Sequence, residues 1–236
     1  MDPLHLCIAL GPLAVYFFVL GAINLSRRPY VTNGARDSAV LGIAVSGFVI
    51  AGPMELFFPE AAAVRFGGLV WGLLIAFYLL CLAMVVLMGR PRLVVFNATF
   101  DQIRPVLADV VTRLDDQSRW AGESLFMPNL GVQLSIETLT VMKNVQLVAA
   151  GLSQNYQGWR KLEEELAVAL RQSKGSPNPQ GAGLFSIGIC TALLITYLLM
   201  RDPVRVQQAF TEMLRLEEPR KAAQPQPAPP AETQQQ

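Results

Sequence analysis

The chain has 236 residues, of which 52% are hydrophobic and only 16% charged, and its formal net charge is +1. Such a composition excludes a water-soluble globular domain as the whole molecule. A balance so close to neutral gives no overall attraction to nucleic acid or to acidic partners.

Apolar residues are gathered into four runs. The first, residues 4–25, has no Lys or Arg before it and Arg27 and Arg28 directly after it. This asymmetry reads as an uncleaved anchor with its N-terminus outside. The connector SRRPYVTNGARD follows, and its Asn33-Gly34 pair is a turn signal. The second run, residues 38–58, returns the chain across the membrane and carries Pro53, which kinks or ends a helix. Glu55 lies just beyond. Within one turn of Pro59-Glu60 at the outer boundary, it reads first as a solvated interfacial residue and second as a candidate polar site for an ion or substrate, because ions are costly inside a membrane.

The third run, residues 66–89, has no charged side chain. At ~1.5 Å per residue it exceeds the ~30 Å hydrocarbon core of a bilayer. Within it Gly68, Gly72 and Ala76 form a small-residue stripe that admits another helix closely. The fourth run, residues 184–200, echoes the stripe with Gly188 and Ala192. Three transmembrane helices therefore occupy residues 1–91, and a fourth follows the linker of residues 174–183. Cys7, Cys81 and Cys190 all lie in apolar runs, without disulfide or metal-ligand spacing.

Residues 92–173 have ordinary globular composition. The segment LVVFN reads as a strand, and Thr99 with Gln102 fits a capping box at a helix start. Ile103, Leu107, Val110, Val111 and Leu114 recur at helical spacing. The pattern then changes to period two, with Val132, Leu134 and Ile136 marking a strand and residues 144–150 another, hinged around Thr140 to Lys143. One or two shorter strands precede them, turning at Pro128-Asn129. A second helix near residues 155–172 lines up Trp159, Leu162, Leu166 and Leu170. The order predicts a small α+β domain, a mostly antiparallel sheet with two helices on one face. From residue 201 the tail reads as a short amphipathic helix around Val206 to Leu214 and then a disordered Pro- and Gln-rich end.

The domain has no His and no Cys, which removes His-dependent triads, Cys-His pairs and zinc sites built from those ligands. No GxGxxG or GxxxxGK[ST] loop is present. Eight Lys or Arg stand against nine Asp or Glu in residues 92–173, so a phosphate-neutralising nucleic-acid surface is not expected. Asp115-Asp116 and Glu163 to Glu165 read as solvated carboxylates, and Trp120 and Trp159 as core residues in preference to a binding platform. No cofactor and no metal are expected. The partners expected are the lipid bilayer and a protein, either another chain or a second copy.

Lys and Arg near the membrane are more numerous on the side of the first connector and the domain, which favours a domain facing the cytoplasm of a bacterial-type membrane. The favoured reading is an integral membrane protein with a non-catalytic, partner-binding domain, acting as scaffold, sensor or complex subunit. The alternatives are a transport or channel component and a membrane enzyme acting on a lipid.

Overall fold

The computed structural model describes residues 3–54, 56–59, 62, 65–139, 143–151, 153–172, 178–201, 203, 204 and 207. Among them are six α-helices and one six-stranded, wholly antiparallel sheet. Four helices are long and apolar enough to cross a membrane: α1 (Pro3–Leu25), α2 (Gly34–Val49), which continues through a π turn over Ile50–Met54, α3 (Leu69–Met88) and α6 (Gln180–Arg201).

The second of these starts four residues before the apolar run that marks it. Asn33 ends a strand and caps the helix, its Oδ1 accepting from the Ala35 N–H at 2.7 Å, so the polar turn Gly-Ala-Arg-Asp joins the helix. Pro53 falls inside the π turn. The last helix begins at Gln180, so residues 180–183 of the expected linker are helical. Residues 173–177 and the apolar positions Val206, Phe210, Met213 and Leu214 lie outside the described residues.

First and last helices lie side by side because glycines let their backbones meet. A Cβ on Gly21 would come 2.8 Å from the Phe185 N, and one on Gly188 3.2 Å from the Phe18 N. Phe18 and Phe185 pack edge to face at 5.3 Å. Helix α2 approaches α1 at Gly47, where a Cβ would sit 2.1 Å from the Ile8 O. Helix α3 leans on α2, and its Tyr78 hydroxyl donates to the Gly42 O at 2.6 Å.

Strands β1 (Tyr30–Asn33), β2 (Arg92–Phe96), β3 (Arg119–Ala121), β4 (Ser124–Met127), β5 (Val132–Leu139) and β6 (Asn144–Ala149) are arranged in the order β1-β2-β6-β5-β4-β3. The expected hairpin arms pair as Ile136↔Leu147 and Leu134↔Ala149. The two short strands turn at Gly122-Glu123, where Gly122 has φ +63°, rather than at Pro128-Asn129, which joins β4 to β5.

Helices α4 (Phe100–Leu114) and α5 (Tyr156–Gln172) place Ile103, Leu107, Val110, Trp159, Leu162 and Leu166 in one buried cluster with Leu93, Val95, Leu134, Ile136 and Leu147 of the sheet. Alternation along the strands sends that set to a single face. The Thr99/Gln102 capping box closes the start of α4, with the Thr99 N–H donating to the Gln102 Oε1 at 3.1 Å.

The unexpected element is β1. It comes from the connector between the first two apolar helices and pairs with β2 through Tyr30↔Phe96, Val31↔Val95, Thr32↔Val94 and Asn33↔Leu93. Val31 packs against the core cluster, so the connector closes one edge of the sheet. A further tie runs from the left-handed Asn97, φ 58°, whose Nδ2 donates to the Ser26 O just after α1.

Candidate functional site

The helices and the sheet meet around β1. Helix α2 leaves directly from Asn33, and α3 reaches β2 through Gly89-Arg90-Pro91, so both helix ends adjoin the β1–β2 pair. Arg92, first residue of β2, reaches back to Asp37 at 3.5 Å and to the Ser38 Oγ at 3.2 Å. Its stem crosses Gly34, where a Cβ would overlap the Arg92 Cγ, so any larger residue there would push the arginine stem aside. From the other side Arg36 of α2 meets Glu163 of α5 at 3.4 Å. The Arg36 side chain is 75% exposed, so this pair positions α5 against α2 more than it stabilises the fold.

These contacts surround an open cleft of about 1360 Å³. One wall is the end of α3, through Val85, Val86 and Leu87. Another is strand surface, through Glu137, Gln146 and Val148, and a third is α5. Arg36, Arg90, Arg92, Arg160 and Arg171 line it, against Glu137, Glu163 and Glu164. Arg36 and Arg92 are paired as above, and Arg160 holds Glu164 at 3.0 Å. Among the described residues Arg90 and Arg171 have no ion pair. The cleft thus combines a greasy wall, two uncommitted guanidinium groups and water access, a combination suited to an amphiphile with an anionic head.

The residues singled out from the sequence are not gathered at this place. Glu55 lies outside the described residues. Gly68 immediately precedes α3, and Gly72 and Ala76 are exposed on it, with no heavy atom within 4 Å of a Cβ built on Gly72. Gly188 sits against α1, and Ala192 is half-buried on α6. Gly21, Gly42, Gly47 and Gly181 make the other close approaches to α1, α3 or α6 within the bundle. Two small pairs seven residues apart, Ala14/Gly21 and Gly181/Gly188, were the available signal, since a period of seven keeps one face of a helix turned to its neighbour.

The carboxylates of the domain separate into different jobs. Asp115, read as solvated, is 1% exposed. Its carboxylate accepts from the backbone N–H groups of Gln117, Asn129 and Leu130 at 3.0, 2.8 and 3.3 Å and from the Asn129 Nδ2 at 2.9 Å. It ends α4 and fixes the β4–β5 loop, a structural task. Trp159 is in the core, donating through Nε1 to the Gln154 Oε1 at 2.9 Å, while Trp120 lies on the outer strand β3 and is 37% exposed. Among the described residues no three of His, Cys, Asp and Glu are grouped to hold a metal ion. Comparison with protein-family models, curated proteins and solved structures finds no match to this chain.

Proposed function

We propose that this is an integral membrane protein whose four apolar helices cross the bilayer and whose sheet domain binds a protein partner without catalysis, as a scaffold, sensor or complex subunit. The Lys and Arg distribution supports a domain on the cytoplasmic side of a bacterial-type membrane. One observation carries the partner reading. The sheet edge farthest in strand order from the bundle junction exposes an aromatic side chain on each of its faces, Trp120 at 37% beside its cross-strand partner Leu125 and Phe126 at 46% on the opposite face. Exposed aromatics beside an open strand edge suit a protein contact, where they supply large burial at small entropic cost. Photo-crosslinking residues placed at positions 120 and 126 should give a discrete protein adduct in intact membranes. Absence of any protein adduct at both positions, with the chain present at normal abundance, overturns the reading.

A second reading, an enzyme acting on a lipid, has the glutamates of the cleft in its favour. Glu163 and Glu164 are each engaged by an arginine, which leaves Glu137 as its candidate acid or base. Phospholipid turnover by the purified chain that is lost in Glu137→Gln would support it, and turnover absent from both proteins would remove it.

A further inference from the structure

We infer that the cleft between the helix bundle and the sheet is a binding site for the phosphate headgroup of an anionic phospholipid from the leaflet beside the domain. The inference rests on the reading of the four helices as membrane-crossing and not on the identity of any protein partner.

Three features of the cleft converge on this ligand. Its position is the first. The wall formed by Val85, Val86 and Leu87 is the last full turn of α3 before the chain enters the sheet, so the cleft opens where hydrocarbon gives way to headgroups. Leu87 is 81% exposed there, with no protein side chain covering most of it. An acyl chain lying along this turn would shield it as lipid shields the rest of the helix.

The second feature is charge. Arg90 follows that turn by three residues, and Arg171 enters from the far end of α5; both line the cleft, and both lack an ion pair among the described residues. Guanidinium groups bind phosphate through paired N–H donors in a fixed fork, and they are the groups of choice where an anion is held at a partly dry surface. The third feature is how the other arginines are used. Arg36 and Arg92 are held by acidic partners in the first turn of α2 or on α5, so they fix the walls and leave the two free arginines to take the ligand. The source is a lipid and not free phosphate, because the apolar wall and the cationic pair share one cleft.

The test uses the full chain in detergent micelles and a fluorescent phosphatidylglycerol probe, with phosphatidylcholine and inorganic phosphate as competitors. Unlabelled phosphatidylglycerol should displace the probe, and phosphatidylcholine should do so at least tenfold less well. The double variant Arg90→Gln/Arg171→Gln should weaken probe binding about tenfold, the effect of losing charge-assisted hydrogen bonds in a partly solvated site. Both side chains are on exposed residues, and an unchanged thermal melt establishes that the variant folds. The control Arg27→Gln/Arg28→Gln removes the same charge next to α1, outside the cleft, and should weaken binding less than twofold.

Equal loss in the two double variants would mean attraction by the basic surface in general and would overturn the assignment. So would full competition by millimolar inorganic phosphate, which would make the ligand a free anion. Release of the chain from membranes by alkaline carbonate would instead overturn the membrane-crossing reading itself. Retention in the membrane without lipid selectivity would sink the headgroup site alone.

Discussion

Asp115 shows how far a side chain's role can depart from its local context. In sequence it is one of two adjacent aspartates after a helix, and nothing nearby distinguishes it from Asp116. In the structure Asp115 is enclosed and satisfies three backbone donors, while Asp116 is exposed and meets only the Asn129 Nδ2 at 3.2 Å. Asp115→Ala should therefore lower the stability of the sheet domain by about 3 kcal/mol, through buried N–H groups left without an acceptor. Asp116→Ala should cost less than about 0.5 kcal/mol, as surface changes usually do. Thermal unfolding followed by circular dichroism compares the two. Glycines divide in the same way. Gly47→Ala forces a methyl against the Ile8 carbonyl and should destabilise the helix bundle by about 1–3 kcal/mol. Gly72→Ala meets open space and should leave the melting temperature of the monomer unchanged or slightly raised, given alanine's better helix propensity. A fall in Tm, or a change in oligomer size on light scattering, would show that a second copy packs on that side of α3.

At the scale of elements, the parts that carry a strong internal signal, either an unbroken apolar run or a sharp period, were legible. The four long helices, the two amphipathic helices and the β5–β6 hairpin each carry their own pattern, because each buries or exposes a face by itself. The strand Tyr30–Asn33 does not. Four residues between Pro29 and a glycine look like a turn, and Asn33 is a cap as well as a strand end. Its strand character comes from β2, an apolar strand whose free edge would otherwise meet solvent. In a cysteine-free background, Thr32→Cys with Val94→Cys should form an intrachain disulfide on mild oxidation, since the two residues are direct cross-strand partners. Thr32→Cys with Gln146→Cys, separated by the whole of β2, should not. Mass spectrometry of a proteolytic digest reads both results. The cleft was illegible for the same reason. Its arginines come from positions 36, 90, 92, 160 and 171, and they line one cleft only once α2, the end of α3 and α5 are assembled around the sheet.

For the whole molecule, the four long helices alternate in direction, and every described strand lies between α1 and α2 or between α3 and α6. If all four cross the bilayer, the sheet is on one side and residues before α1 and after α6 are on the other. Glu123→Cys, at the β3–β4 turn, should be protected from an impermeant maleimide in intact cells, while Thr233→Cys should react. The basic residues Arg201, Arg205, Arg215 and Arg220 oppose this placement under the positive-inside rule, which makes the labelling pattern a demanding check. The borrowed strand has a practical bearing on any attempt to study the sheet in water. A fragment cut at the membrane boundary, residues 92–173, would lose the neighbour of its most apolar strand and uncover Val94 and Phe96, now 2% and 8% exposed. Such a fragment should self-associate through the bare flank. Grafting the tetrapeptide YVTN ahead of residue 92 through a flexible spacer is the simplest way to make it monomeric.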